Sequence, residues 1–169
     1  INSQGGSVES GNQIVLEIQK YNLDCIAERA YSMGFVILQA CNKRYIRPYG
    51  KLMQHQMSYG VANEKAKVES YVNFVDQMNE ILVSMQADKI KMSNQVFKEK
   101  TYNEWWMFGK YAIENNCADE IVHVSCNDKL TKQNETQEYS NYEITFSKCP
   151  LIELPIEVKK LKSKIDDYF

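Results

Sequence analysis

The chain has 169 residues, 44% of them apolar and 25% charged, proportions that suit a globular protein and exclude disorder throughout. Its 20 basic and 22 acidic residues leave a net charge of -2, and without a basic stripe nucleic acid is not an expected partner. No run of 18 apolar residues predicts a transmembrane helix, and no charged segment followed by an apolar run predicts a secretory signal. The length suits one domain, or one with an appendage.

Elements follow in chain order. Ser7 to Tyr21 carries apolar residues at helical spacing (Val8, Gly11, Ile14, Val15, Ile18), and Gly5-Gly6 before it suits a tight strand-to-helix turn. Leu23 to Ala30 reads as a short strand. Ser32 to Cys41 is apolar nearly all round and predicts a buried helix. Arg44 to Ile46 and Lys51 to His55 read as short strands about a turn at Pro48-Tyr49-Gly50. Ala62 to Gln86 is the longest periodic segment and predicts a helix that projects or packs on a neighbour. Shorter helices are expected at Ser93 to Lys100, with Ser93 as N-cap, and at Phe108 to Asn115. Ile121 to Ser125 alternates like a strand. Asn127 to Tyr142 is polar and reads as a loop, with a short strand pair following. Glu143 to Phe146 and Leu151 to Leu154 are the strand candidates. Pro155 suits the start of a last helix, Ile156 to Tyr168, whose Lys159, Lys160, Lys162 and Lys164 form a solvated face. Helices alternating with short strands give an α/β class.

Of the five cysteines (25, 41, 117, 126, 149), none lies in a Cys-x-x-Cys spacing. The odd count reads as buried free thiols in a reducing compartment, hence the cytoplasm. A zinc site has no support, since neither His55 nor His123 lies at ligand spacing from a cysteine pair. No cofactor motif is present.

Three places carry chemistry. Ser32 follows a strand and opens an apolar helix, where it is either an N-cap or a nucleophile beside free helix amides. His55 ends a strand and is one of two histidines able to act as a base. Gly5-Gly6 places bare backbone N–H groups between a strand end and a helix.

These residues resemble the Clp protease proteolytic subunit family. INSQGGSVESG resembles its glycine turn, AERAYSMGFVILQA its nucleophile block and KRYIRPYGKLMQHQ its base block. EWWMFGKYAIENNCADEIV resembles its acid-bearing segment more loosely. The resemblance implies a ClpP/crotonase-type fold of repeated β-β-α units, with Ala62–Gln86 as handle helix. It implies a serine peptidase domain over residues 1–126 and a C-terminal extension over 127–169. Ile1 to Gly6 would close a strand whose neighbours lie upstream, so the opening strands would be absent from this sequence.

By the same resemblance Ser32 is the nucleophile, His55 the base, and the amides of Gly6 and Met33 the oxyanion hole. Counting back from Ala118-Asp119-Glu120-Ile121, the family's aspartate position falls on Glu104. Gln4, Tyr31, Met57 and Asn116-Cys117 also depart from the pattern. The implied setting is a homo-oligomeric ring that cleaves protein or peptide substrates, with larger ones fed by a partner AAA+ unfoldase. An inactive ring subunit, a phage-type scaffold protease working without an ATPase, and a serine–lysine dyad using Lys43, Lys51 or Lys65 remain open alternatives.

Overall fold

The computed structural model describes residues 1–149, 151–152 and 154–161. The chain divides into two units, 1–123 and 124–169.

The first unit is a mixed α/β layer. Its elements are β1 (Asn2–Ser3), α1 (Val8–Tyr21), β2 (Cys25–Tyr31), α2 (Met33–Ala40), β3 (Arg44–His55), α3 (Lys65–Ile90), α4 (Asn94–Thr101), β4 (Glu104–Phe108), α5 (Lys110–Glu114) and β5 (Glu120–Ile121). Strands β1, β2 and β3 run parallel. The far side of β3 is shared: its first half pairs with β5 in parallel, and its second half pairs with β4 antiparallel. Ala27, Ala30, Ile46 and Leu52 from the sheet meet Phe35 and Leu38 of α2 and Ile90 of α3 in the main core. A smaller cluster of Val15, Met33 and Val36 fastens α1 to α2. Each fully buried Leu, Ile or Phe here contributes roughly 1.5–3 kcal/mol.

Several boundaries differ from the sequence reading. The two strands expected around Pro48 are one strand, because residues 47–50 are absorbed as an irregularity in the pairing with β2. Helix α3 starts later and runs on to Ile90, where Lys91 closes it in the left-handed conformation. It is about 39 Å long. Its first turns are mainly exposed, while Val75, Val83, Gln86, Ala87 and Ile90 are buried. The segment Glu104–Phe108 is a strand that the sequence reading did not single out. The expected Phe108–Asn115 helix shrinks to Lys110–Glu114, and only Glu120–Ile121 of the next segment pairs as strand.

The second unit holds a short helix, α6 (Asp128–Thr131), and an antiparallel sheet of β6 (Asn134–Tyr139), β7 (Tyr142–Ser147) and β8 (Glu157–Lys160). The polar stretch read as a loop therefore contains a strand, and β6 has no apolar alternation to reveal it, being exposed throughout. Leu151 lies in a turn and Leu154 in a bend, and neither they nor Ile152 belong to a strand. The expected last helix is a strand over Glu157–Lys160. There the open edge of β7 supplies backbone partners, and Lys159 pairs with Glu143 across the ladder at 3.6 Å. Lys159 and Lys160 are solvated as expected. Lys162, Lys164 and the rest of that predicted helix lie outside the described residues.

The cysteine reading also needs correction. Cys25 and Cys41 are disulfide-bonded, as are Cys126 and Cys149, with Cα separations of 5.9 and 5.8 Å. The fold brings together the start of β2 and the end of α2, which sequence spacing does not foretell. Only Cys117 is a buried free thiol, and burial pushes it up to about 12. The ground for a reducing compartment goes with the other four. Closing a loop of the size spanned by Cys126 and Cys149 contributes about 3 kcal/mol in the chain-entropy picture.

Among the described residues no helix is long and apolar enough to cross a membrane.

Candidate active site

The centre of the site is the sharp turn between β2 and α2. Ser32 occupies it with φ 53° and ψ -118°. That conformation costs a non-glycine residue about 1–3 kcal/mol. The turn is held because the Ser32 amide donates to the Met53 carbonyl at 2.9 Å, while the Ser32 carbonyl accepts from the amides of Phe35 and Val36. Ser32 stands at the N-cap position, but its hydroxyl makes no capping bond. Its Oγ lies instead 2.9 Å from Nε2 of His55.

His55 closes β3. Its backbone N–H donates to Oε1 of Gln54 at 3.1 Å. Gln54 Nε2 in turn donates to Oε1 of Gln86, whose Nε2 donates to the Leu82 carbonyl at 2.7 Å. Both glutamine side chains are buried, so the end of β3 is tied to the end of α3 through two satisfied amides.

The glycine turn lies against the nucleophile turn. A side chain on Gly5 would meet Ser32 Cβ at 2.7 Å and the Tyr31 carbonyl at 2.8 Å. Gly5 and Gly6 have φ of 95° and 140°, so the backbone there suits glycine alone. Gly6, Ser32, Met33 and His55 line one cavity of about 90 Å³. The first amides of α2, that of Met33 included, have no acceptor within their own helix.

Glu104 faces His55 in register, as residue opposite residue across β3 and β4. Its carboxylate does not engage the imidazole. It accepts from Nε1 of Trp106 at 2.9 Å, and the Trp106 ring packs edge-on against Tyr31. Among the described residues no hydrogen bond reaches His55 Nδ1. The structure thus assembles Ser32, His55, Gly6 and Met33, and leaves the expected acid adjacent but turned away. None of the lysines considered for a dyad lines the cavity.

Sequence reasoning missed Gln54, Gln86 and Asn79 as cavity residues. A signal was available: Val75, Asn79, Gln86 and Ile90 keep helical phase, so a buried amide, Gln86, and a half-buried one, Asn79, fall on the inward stripe of α3.

The Clp protease profile matches residues 1–125. The chain belongs to the Clp protease family. The ATP-dependent Clp protease proteolytic subunit 2 of Tropheryma whipplei is 27% identical over 126 residues, covering 72% of this chain and 70% of the relative. The subunit of the same name from Pseudomonas aeruginosa is 26% identical over 127 residues, covering 72% and 63%. The mixed sheet and its helices agree with the ClpP-like fold of that family. The family match ends at residue 125, two residues past the division between the two units, so the Cys126–Cys149 bond and the sheet beside it lie beyond it.

Proposed function

We propose that this chain is a serine endopeptidase of the Clp type, acting on protein or peptide substrates. The observation that carries the reading is the 2.9 Å contact between Ser32 Oγ and His55 Nε2, made in a cavity that Gly6 and Met33 also line. Ser32 Oγ adds to the scissile carbonyl and its proton passes to Nε2 of His55, which requires that the neutral imidazole hold its own proton on Nδ1. The amides of Gly6 and Met33 receive the oxyanion. Collapse breaks the C–N bond, the leaving amine takes the proton from His55, and the acyl group stays on Ser32 Oγ. Water, deprotonated by His55, then releases the acid and restores the serine.

A ring of identical subunits is the proposed setting, with a partner AAA+ unfoldase feeding it the larger substrates. The exposed apolar residues of α1 and α3, Leu16, Phe74 and Ile81 among them, support a second copy covering that face. The position of the Glu104 carboxylate favours a second reading, an inactive ring subunit.

Fluorophosphonate labelling decides between the two. The assembled protein is expected to take up one probe per chain on Ser32, and Ser32→Ala to take up none. An intact oligomer that fails to label would overturn the enzyme reading.

The role of Glu104 has its own expected outcome. Trp106→Phe removes the indole donor and frees the carboxylate, and kcat is expected to rise severalfold. Glu104→Gln is expected to lower kcat by about tenfold to a hundredfold, with KM little changed and the pH profile of kcat displaced. Rates unaltered in both variants would leave a serine–histidine pair without an acid.

A further inference from the structure

The Glu104 carboxylate accepts from Trp106, and no hydrogen bond among the described residues reaches His55 Nδ1. The place of the imidazole therefore depends on the main chain that carries it. That main chain is the last rung of β3. The Ser32 amide donates to the Met53 carbonyl, so Met53 faces the β2 side. Alternation along the strand turns the His55 N–H the same way. The last pair of β2 with β3 is Tyr31 with Met53, so β2 has already turned off into α2. Among the described residues no strand offers the His55 N–H a carbonyl there.

Two side chains supply what the sheet lacks. Gln54 Oε1 accepts from the His55 N–H at 3.1 Å, and Gln54 Nε2 donates to Gln86 Oε1. Gln86 Nε2 donates to the Leu82 carbonyl at 2.7 Å. The order is forced: turning either amide over would set donor against donor and acceptor against acceptor. Gln54 is 4% exposed and Gln86 2%, so little water competes for these bonds. The far end of the chain is fixed, because Val83, Ala87 and Ile90 around Gln86 belong to the main core. On the other side of β3 the Gln56 amide donates to the Thr101 carbonyl at 2.8 Å.

We infer that Gln54 and Gln86 are positioning residues for the serine–histidine pair. They hold the His55 main chain where Nε2 meets Ser32 Oγ, giving from the backbone side the orientation that an acid would give at Nδ1. The inference rests on the serine peptidase reading. Neither amide has to touch the reacting atoms, since a displacement of about 1 Å can cost about a hundredfold in rate.

The test uses the full-length protein and methionine, which has nearly the shape of glutamine without its hydrogen bonds. A fluorophosphonate probe gives kinact and KI for Ser32, and melting curves give stability. Gln54→Met leaves the His55 N–H and Gln86 Oε1 unmet, and Gln86→Met leaves Gln54 Nε2 unmet. Each is expected to lower the melting temperature by roughly 5 °C. Gln54→Met/Gln86→Met leaves only the His55 N–H unmet, so its melting temperature is expected to return toward that of the unsubstituted protein. Its kinact is not expected to return. Gln86→Met should lower kinact about tenfold, and Gln54→Met and the double variant about tenfold to a hundredfold, with KI changed less than about twofold. Should a single variant fail to fold, the double variant carries the test. A kinact that recovers together with stability would overturn the inference and leave the amides as packing. A loss carried by KI, or no loss in the double variant, would do the same, and in each case the labelled Ser32 keeps the peptidase reading. An unsubstituted protein that takes up no probe would overturn the peptidase reading, and this inference with it.

Discussion

Ser32→Ala and His55→Ala are each expected to lower kcat/KM for a peptide substrate by about 10⁴- to 10⁶-fold, and the double variant to lose little more. The non-additivity follows from the single contact between Oγ and Nε2. Once either partner is gone, the other has nothing to activate or be activated by. The residual rate should exceed that of water, because the amides of Gly6 and Met33 survive both substitutions. Folding should survive too. The Ser32 side chain caps nothing, and its turn is held by main-chain bonds to Met53, Phe35 and Val36. Initial-rate kinetics on the two single variants and the double variant test this. Losses that multiply would show that the two residues act independently.

Arg44→Met is expected to destabilise the protein by about 3 kcal/mol, lowering the melting temperature by roughly 10 °C. The Arg44 side chain is only 5% exposed, and its guanidinium serves three partners. It pairs with the Asp119 carboxylate, donates to Gln39 Oε1 at 2.6 Å and donates to the Asn116 carbonyl at 2.8 Å. Gln39 in turn donates to the Cys117 carbonyl at 3.0 Å. This network joins the start of β3 to α2 and to the turn before β5, where Asn116 takes a left-handed φ of 55°. Removing the guanidinium orphans all three acceptors. The loss falls at the low end for a broken buried pair because the Asp119 side chain is 40% exposed.

The same pair sets an acid limit. Burial alone pushes the Asp119 carboxyl up, but hydrogen bonds and charge from Arg44 outweigh it and hold the group below its usual value. A folded-state value below the unfolded one stabilises above pH 4, and that contribution is lost as pH falls through the folded value. Melting curves at pH 7 and pH 3 should therefore converge in Asp119→Asn relative to the unsubstituted protein. Equal acid sensitivity of the two would remove the pair from the account.

What was legible in the sequence follows from physics local to the chain. Ser32, His55 and the glycine pair could be found because each sits where a strand meets a turn or helix, and short motifs mark such places. The helices α1, α2 and α4 were legible through apolar period and, for α4, through the Ser93 cap, whose hydroxyl accepts from the Val96 amide at 3.3 Å. The strand β4 was not, because two tryptophans and a methionine fit either a helix or a strand until β3 offers its edge. The turning of Glu104 toward Trp106 was not legible either, since a rotamer is chosen by neighbours in space. Cys25 and Cys41 are 16 residues apart, and only the path of β2 and α2 makes them partners. The last strand had lysines at intervals that suit a solvated helix, and pairing with β7 overrode them.

The position of the Cys126–Cys149 bond has a wider meaning. Both its sulfurs, and every rung of the β6–β7–β8 ladder, belong to residues 124–169. The covalent clasp and the hydrogen-bonded sheet therefore share one boundary with the family match. What the chain carries after its peptidase-like region is a cassette with its own fastener, and a junction between His123 and Cys126 is where an engineer would graft it onto another scaffold or exchange it for another module.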